Sequence, residues 1–82
     1  MDITVYSKPN CSYCEKAKAL LISKQLNYTL VELDVGQVKL EDVKYISRDA
    51  LIARMPLAKT MPQIVIDGVA IGGFQELQKR LI

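Results

Sequence analysis

The two cysteines of this 82-residue chain, Cys11 and Cys14, lie where a strand-like segment gives way to a helix-like one. Residues 3–6 are β-branched or aromatic, which favours a strand, whereas residues 12–25 are rich in Glu, Lys, Ala and Leu, which favour a helix. A strand followed directly by a helix predicts an α/β fold. The length of the chain allows a single domain over residues 1–82.

The rest of the chain alternates between the same two kinds of segment. Runs of β-branched residues predict further strands, and apolar residues at steps of three and four predict further helices. Asp67-Gly68 is a typical two-residue hairpin turn, so we expect the strands on either side of it to be antiparallel. The order β-α-β-α-β-β-α then predicts a mixed four-stranded sheet flanked on both faces by three helices. After the first helix the predicted elements are residues 28–33 (strand), 40–55 (helix), 63–66 and 69–71 (strands) and 74–81 (helix), with a connector over 57–61.

The composition excludes several classes of protein. Histidine is absent, which removes histidine-based acid–base catalysis and histidine-containing metal sites. The net charge of +2 is too small, and the basic residues are too scattered, to indicate a nucleic-acid partner. No apolar run approaches the ~20 residues of a membrane-spanning helix, and the first residues lack the pattern of a signal peptide. Two closely spaced cysteines are typical of chemistry in a reducing compartment, so we expect a cytoplasmic protein without a membrane partner.

The position of the cysteine pair favours a nucleophilic role. A thiolate is the reactive form of cysteine, and Cys11 is expected at a helix N-terminus, where free backbone N–H groups stabilise negative charge. Asn10 or Ser12 can cap this helix, and Lys8 adds positive charge nearby. The pKa of the Cys11 thiol is therefore expected below the ordinary ~8.5. Cys14 falls on the apolar face one turn later, so it is expected to be less exposed and less acidic.

Two other interpretations of the pair stay open at this point. Half of a zinc site would need two more ligands, and the chain has no further cysteine and no histidine to supply them. Two buried cysteines that only pack together would need no chemistry at all. A Cys-x-x-Cys pair between a strand and a helix is nevertheless a fairly specific redox signal, and it predicts an attacking thiol and a resolving thiol.

Several segments resemble the motifs of glutaredoxins, and together they span nearly the whole chain. The stretch Tyr6–Cys14 (YSKPNCSYC) is similar to the active-site sequence, and residues 60–62 (TMP) are similar to the motif in which the proline is cis. Asp67-Gly68 and residues 71–74 (IGGF) resemble the closing hairpin and the Gly-Gly motif. The resemblance is to the small bacterial or bacteriophage type. It implies a thioredoxin fold and an enzyme, a glutathione-disulfide oxidoreductase, in which the first cysteine attacks and the second resolves.

The resemblance also implies a glutathione site, carried over residue by residue. Lys8 and Lys59 would face the glycine carboxylate of the tripeptide, and Tyr13 would line the groove beside the nucleophile. The backbone of Met61, exposed by a bend at Pro62, would pair with the cysteinyl portion in a short strand-like contact. The full set of implied contacts is Lys8, Tyr13, Lys59, Thr60, Met61, Pro62, Gly73, Phe74, Gln75 and Glu76, of which the last four would hold the γ-glutamyl end.

The chain departs from the family pattern at three places. Ser12-Tyr13 stands between the cysteines where Pro-Tyr is commoner, and Met61 replaces the usual Val at a position where the backbone does the binding. Gln75-Glu76 replaces Ser or Asp followed by Asp. Gln75 cannot supply a carboxylate for the α-amino group of glutathione, whereas Glu76 can, with a longer reach.

The resemblance implies glutathione as the reductant, no tightly bound cofactor, and a monomer that acts on disulfide-containing or glutathionylated proteins. Ribonucleotide reductase is one such partner at the level of the family. Some glutaredoxins with Ser-Tyr between the cysteines hold a [2Fe–2S] cluster between two protomers, and this role is an alternative. An electron donor coupled to thioredoxin reductase is a second alternative, although the Trp and Gly-Pro typical of thioredoxins are absent. A non-catalytic binding module with the same fold is a third.

Overall fold

The computed structural model describes residues 1–56 and 58–81, so Leu57, where the predicted connector begins, and Ile82 lie outside the described residues. Strands and helices follow the predicted order with one added strand. The mixed sheet and its three helices confirm the predicted α/β fold class. The elements are β1 (Ile3–Ser7), α1 (Ser12–Ser23), β2 (Thr29–Leu33), β3 (Lys44–Ile46), α2 (Arg48–Arg54), β4 (Gln63–Ile66), β5 (Val69–Gly72) and α3 (Phe74–Arg80).

Among the described residues the sheet has five strands, in the order β3-β2-β1-β4-β5. β1 is parallel to β2 and β2 to β3, whereas β4 runs antiparallel to its neighbours β1 and β5. The predicted hairpin joins β4 to β5 through Asp67 and Gly68, which both adopt positive φ. Because β1 is the central strand, its carboxyl end, which leads into the cysteine pair, is held by hydrogen-bonded neighbours on both sides.

The predicted helix over 40–55 is wrong in its first half. Lys44–Ile46 form β3 instead, which pairs with β2 and makes the sheet five-stranded rather than four-stranded, and α2 covers only Arg48–Arg54. β3 and the residue before it are mostly β-branched or aromatic, which suits a pleated surface. Ser47 then caps α2, because its hydroxyl accepts a hydrogen bond from Ala50 N at 3.1 Å. The apolar spacing that suggested one long helix is thus shared between a strand and a short helix.

The segment between β2 and β3 is a loop. Asp34 Oδ1 accepts a hydrogen bond from Gly36 N at 3.0 Å and pairs with Lys39 Nζ at 3.1 Å. The Gly36 hydrogen bond and, next, the Lys39 interaction lower the pKa of the Asp34 carboxyl below its ordinary value of 3.8. The loop thus folds around a carboxylate that is stabilised in its charged form.

The two faces of the sheet carry two separate hydrophobic clusters. Ile3 and Val5 of β1 point to one face and pack with α1 and α3, whereas Tyr6 points to the other face and packs with α2. Helices therefore cover both faces, as predicted. The first cluster consists of Ile3, Val5, Ala17, Leu21, Ile64, Ile66 and Leu77, and the second of Tyr6, Val31, Ile46 and Leu51.

α1, with 12 residues, is the longest helix in the described part of the chain. It ends at Ser23, two residues before its predicted end, because the chain turns at Gln25, which adopts a φ of 58°. Within residues 1–56 and 58–81, no helix has the length and apolar character needed to cross a bilayer.

Candidate active site

The chain turns from β1 into α1 at residues 8–10, and Cys11 is the residue that caps the helix. The Cys11 sulfur accepts a hydrogen bond from the backbone N–H of Cys14 at 3.2 Å, so the cap is neither of the predicted residues, Asn10 and Ser12. Asn10 instead adopts the positive φ of 58° that closes the turn. The sulfur of Cys11 therefore faces the N–H groups at the start of α1, where negative charge is stabilised.

Cys11 and Cys14 form a disulfide, and their Cα atoms lie 5.2 Å apart. Cys14 is fully buried, whereas Cys11 is partly exposed. An incoming thiol or disulfide therefore reaches the sulfur of Cys11, while Cys14 is shielded from it. This difference in access gives a physical basis for separate attacking and resolving roles.

The loop before β4 also contacts the disulfide. The Met61–Pro62 peptide bond is cis, as predicted, and the carbonyl oxygen of Met61 lies 3.7 Å from Cys11 Sγ. The side-chain amide of Gln63 donates to the carbonyl of Thr60 at 2.7 Å, which ties this loop to the first residue of β4. The backbone at Met61 is thus within reach of a group bound to Cys11, as a strand-like pairing with a cysteinyl residue requires.

A cavity of about 290 Å³ lies beside this loop and contains eight of the predicted glutathione contacts. We call it the Phe74 cavity. The ring centres of Tyr13 and Phe74 are 6.2 Å apart, and Lys16 Nζ lies 4.9 Å from the centre of the Tyr13 ring. Two aromatic rings and a nearby cation give this cavity both apolar and polar contacts for a ligand. Its lining residues are Tyr13, Thr60, Met61, Pro62, Gly73, Phe74, Gln75 and Glu76.

A second cavity, of about 400 Å³, adjoins the first at Thr60 and Met61, which line both. We call it the Arg48 cavity. It contains Lys8 and Lys59, the two lysines expected to face the glycine carboxylate. The predicted glutathione contacts are therefore divided between two neighbouring cavities that meet beside Cys11. The lining residues of the second are Lys8, Leu33, Arg48, Leu51, Ile52, Met55, Ala58, Lys59, Thr60 and Met61.

Sequence reasoning misses Arg48 and the apolar residues around it. A helix predicted to begin near residue 40 puts Arg48 in its interior, with no relation to the cysteines. The signal that locates Arg48 is Ser47, because a serine cap places Arg48 at the first position of α2, directly after β3. Since β1, β2 and β3 are parallel, their carboxyl ends meet at one edge of the sheet, and Arg48 lies at that edge with Lys8.

Glu76 is engaged within its own segment of the chain. Its Oε1 accepts a hydrogen bond from the backbone N–H of Gly73 at 2.8 Å, and its side chain lies over Gly72. A Cβ atom at Gly72 would come within 2.6 Å of the same oxygen, so only glycine leaves room for this arrangement. The carboxylate still has lone pairs for a second donor, so it can accept from a ligand ammonium without leaving Gly73.

Two buried polar atoms beside the site have no hydrogen-bond partner among the described residues, Ser7 Oγ and Glu32 Oε2. Ser7 and Glu32 are register partners in β1 and β2, so their side chains leave the sheet on the same face. Ser7 is fully buried and immediately precedes Lys8. Sequence reasoning does not find this pair, because each residue taken alone is an ordinary polar position in a strand.

Fold and site together define a class: a thioredoxin-like protein with a redox-active cysteine pair at a helix N-terminus. The family model for glutaredoxins matches residues 3–71. Because this match spans most of the chain, the chain belongs to the glutaredoxin family. The family resemblance carried by the sequence motifs is thereby confirmed.

Relatives and a solved structure agree with this assignment. Glutaredoxin 3 of Escherichia coli K12 is 36% identical over 76 residues, which cover 93% of this chain and 81% of that protein. Mitochondrial glutaredoxin-2 of Rattus norvegicus is 35% identical over 72 residues, which cover 87% of this chain but 41% of the relative, so the chain spans about two fifths of that protein. The crystal structure of a buckwheat glutaredoxin–glutathione complex matches with a TM-score of 0.71 at 26% identity, covering 96% of this chain and 66% of the other.

Proposed function

We propose that this chain is a thiol–disulfide oxidoreductase that takes its electrons from glutathione. The observation that carries the proposal is the position of the Cys11–Cys14 disulfide. Cys11, the partly exposed member of the pair, lies at a helix N-terminus beside two cavities, and between them these cavities contain every predicted glutathione contact. Membership of the glutaredoxin family and the buckwheat relative's complex with glutathione support the same reductant.

Reduction of a target protein begins with the dithiol form. The Cys11 thiolate attacks one sulfur of the target disulfide, and the second target sulfur leaves as a thiolate that takes up a proton from water. Cys14 then loses its proton to water and attacks Cys11 Sγ, which releases the first target sulfur as a thiolate. The target gains two electrons, and the enzyme pair becomes the disulfide seen in the structure.

Two molecules of glutathione restore the dithiol. The first thiolate attacks the sulfur of Cys11, the partly exposed cysteine, forms a mixed disulfide with it, and releases Cys14 as a thiolate that takes up a proton. The second thiolate attacks the glutathione sulfur of that mixed disulfide, which gives glutathione disulfide and the free Cys11 thiolate. The burial of Cys14 directs the first attack to Cys11.

Glutathione lies along the Met61 loop in this proposal, with its cysteinyl sulfur at Cys11. The Met61 backbone pairs with the cysteinyl residue, and Lys8 and Lys59 attract the glycine carboxylate at one end. The γ-glutamyl group enters the Phe74 cavity at the other end, where Glu76 accepts from its ammonium. Gln75 contributes an uncharged amide there, so the ammonium depends on a single carboxylate.

The targets in this proposal are disulfide-containing or glutathionylated proteins, and ribonucleotide reductase is one candidate. The chain acts as a monomer in the cytoplasm. A cytosolic glutathione pool at about −220 to −260 mV can keep a glutaredoxin with a potential of about −200 to −230 mV reduced. The energetics of that compartment are therefore compatible with turnover.

The iron–sulfur alternative stays a prediction. Within residues 1–56 and 58–81, no three Cys, Asp or Glu side chains are grouped so as to hold a metal ion. A bridging cluster would take its remaining ligands from glutathione and a second protomer, so its test is direct. Visible absorbance after anaerobic purification, or after reconstitution with iron, sulfide and glutathione, would support it, and a colourless product would exclude it.

The experiment that tests the proposed function is a glutathione-coupled assay on the wild type and two variants. Cys11→Ser is expected to reduce turnover of a glutathione mixed disulfide to the uncatalysed rate, because no other exposed thiol is present. Cys14→Ser is expected to retain that reaction, which needs one thiol, and to lose reduction of protein disulfides, which needs two. Turnover by Cys11→Ser, or turnover of the wild type with thioredoxin reductase but not with glutathione, would contradict the proposal.

A further inference from the structure

The Arg48 cavity contains more than the proposed binding of glutathione uses. Lys8 and Lys59 face the glycine carboxylate in that proposal, but Arg48 and an apolar wall have no role in it. Glycine has no side chain, so the tripeptide leaves this wall uncovered. The apolar wall consists of Leu33, Leu51, Ile52, Met55 and Ala58.

The charges around this cavity have one sign. Lys8, Arg48 and Lys59 line it, all three are exposed, and no carboxylate lines it in the described part of the chain. None of the three forms an ion pair with another described residue. Positive charge concentrated around a concave surface focuses the potential and attracts anionic groups.

The apolar wall is suited to a side chain from another molecule. Ile52 is 49% exposed at the rim, whereas Leu51 is 9% exposed and closes the bottom. Met55 and Met61 add flexible thioether side chains, which adapt to differently shaped apolar groups. The volume of about 400 Å³ falls within the range of ligand-binding cavities. An apolar wall inside a cationic rim therefore complements a ligand that has both an apolar and an acidic part.

We propose that the Arg48 cavity receives a segment of the target protein in which an apolar side chain and acidic residues adjoin the reducible cysteine. The apolar side chain packs on Leu51 and Ile52, and the acidic residues face the three cations. The target cysteine then reaches Cys11, because the cavity meets the Met61 loop 3.7 Å from the Cys11 sulfur. This inference rests on the proposed oxidoreductase function and adds the chemical class of its protein substrate.

Single-turnover reduction of peptide disulfides tests the inference without glutathione. The protein is first reduced with dithiothreitol, which is then removed. Three synthetic peptides are compared, each with one cysteine and each supplied as its symmetric disulfide dimer. The first has Leu and Glu residues around the cysteine, the second has Lys in place of Glu, and the third has Ser in place of Leu. Reduction transfers two electrons from the enzyme dithiol to the dimer and yields two peptide thiols.

Two pairs of variants separate the cavity from general effects. Arg48→Glu reverses a charge in the cavity, and Arg80→Glu makes the same change in the last turn of α3. Ile52→Ala shortens the rim of the wall, and Ile22→Ala removes an equally large side chain that is 66% exposed on α1. All four positions are exposed, so each variant is expected to fold, and the thermal midpoint of each one checks this.

The expected result is a preference for the first peptide that depends on the cavity. We expect the wild type to reduce it about tenfold faster at low concentration than either of the other two, and the preference over the Lys peptide should grow at low salt. Arg48→Glu should reduce the preference over the Lys peptide severalfold, because Lys8 and Lys59 remain, and Ile52→Ala should remove most of the preference over the Ser peptide. Arg80→Glu and Ile22→Ala should match the wild type.

Equal rates for the three peptides in the wild type would overturn the inference. The inference would also be overturned if Arg80→Glu and Ile22→Ala lost as much of the peptide preference as the cavity variants, because the preference would then not depend on this cavity. Neither outcome bears on glutathione, which is absent from the assay. Conversely, if glutathione-coupled turnover failed while the peptide preference stayed intact, only the proposal that glutathione is the reductant would be contradicted.

Discussion

Ser7 and Ser47 are two serines whose hydroxyl groups have different surroundings. Ser7 Oγ is buried without a partner among the described residues, whereas Ser47 Oγ accepts from Ala50 N at the start of α2. We expect Ser7→Ala to leave the free energy of unfolding unchanged or to raise it by up to about 1 kcal/mol, because an unpaired buried hydroxyl loses its hydration without compensation. Ser47→Ala should lower the same quantity by about 1 kcal/mol, because a helix N–H group loses its partner. Urea unfolding of the two variants measures both effects.

If Ser7→Ala lowered the free energy of unfolding as much as Ser47→Ala does, this expectation would be contradicted. The hydroxyl would then have a partner, and Glu32, opposite it in the register of β1 and β2, would be the residue to examine. Removing both side chains in a double variant would measure their coupling directly.

Gly72, at the junction between β5 and α3, and Gly36, in the loop after β2, are required for different reasons. Gly72 adopts a φ of 114°, and a Cβ atom there would approach Glu76 Oε1 to 2.6 Å. Gly36 adopts a φ of 83°, but a Cβ atom there would meet nothing within 4 Å. Alanine at either position therefore strains the backbone, by about 1–3 kcal/mol, but only Gly72→Ala also displaces Glu76 from the Gly73 N–H group.

Comparison of the two alanine variants tests this view of the junction. Gly72→Ala should lower the free energy of unfolding more than Gly36→Ala, and it alone should raise the KM for glutathione, because Glu76 lies at the γ-glutamyl end. Urea unfolding and the glutathione-coupled assay provide the two measurements. An unchanged KM in Gly72→Ala would mean that Glu76 does not contact glutathione.

Elements with a strong local signal follow from the sequence, and the elements around α2 do not. The sequence predicts α1 and β4 to within two residues, because helix-forming composition and β-branched runs act over short distances. β3 has only three residues and exists through its pairing with β2, which no local pattern records. The same limit applies to the site. The motifs locate the residues around Cys11, whereas Arg48 joins them only because β3 and the Ser47 cap bring α2 to the same edge of the sheet.

The two layers of the molecule correspond to the two cavities of the site. α3 packs on the first hydrophobic cluster through Leu77 and begins at the Phe74 cavity. α2 packs on the second cluster through Leu51, which also lines the Arg48 cavity. The cavities meet at Thr60 and Met61, in the loop before β4. A ligand that lies along this loop therefore has one end in contact with each layer.

Truncation of one leucine in each layer tests this division of the site. The two variants should differ in their loss of stability and in which substrate they impair. Leu77 is fully buried, so Leu77→Ala should cost about 2–5 kcal/mol, a large part of the roughly 4–12 kcal/mol expected for a domain of this length. At about 4–8 °C per kcal/mol, its thermal midpoint should fall by at least about 8 °C. Leu51 retains 9% exposure at the bottom of a cavity, so Leu51→Ala should cost less.

The two truncations should affect different substrates. Leu51→Ala enlarges the Arg48 cavity and should weaken reduction of the Leu- and Glu-containing peptide, while the KM for glutathione changes little. Leu77→Ala loosens α3 and should raise the KM for glutathione, with the peptide preference retained. Assays well below the lower thermal midpoint keep both variants folded during measurement. If each variant impaired both substrates equally, the site would behave as one unit, and the division of its contacts between the two layers would be wrong.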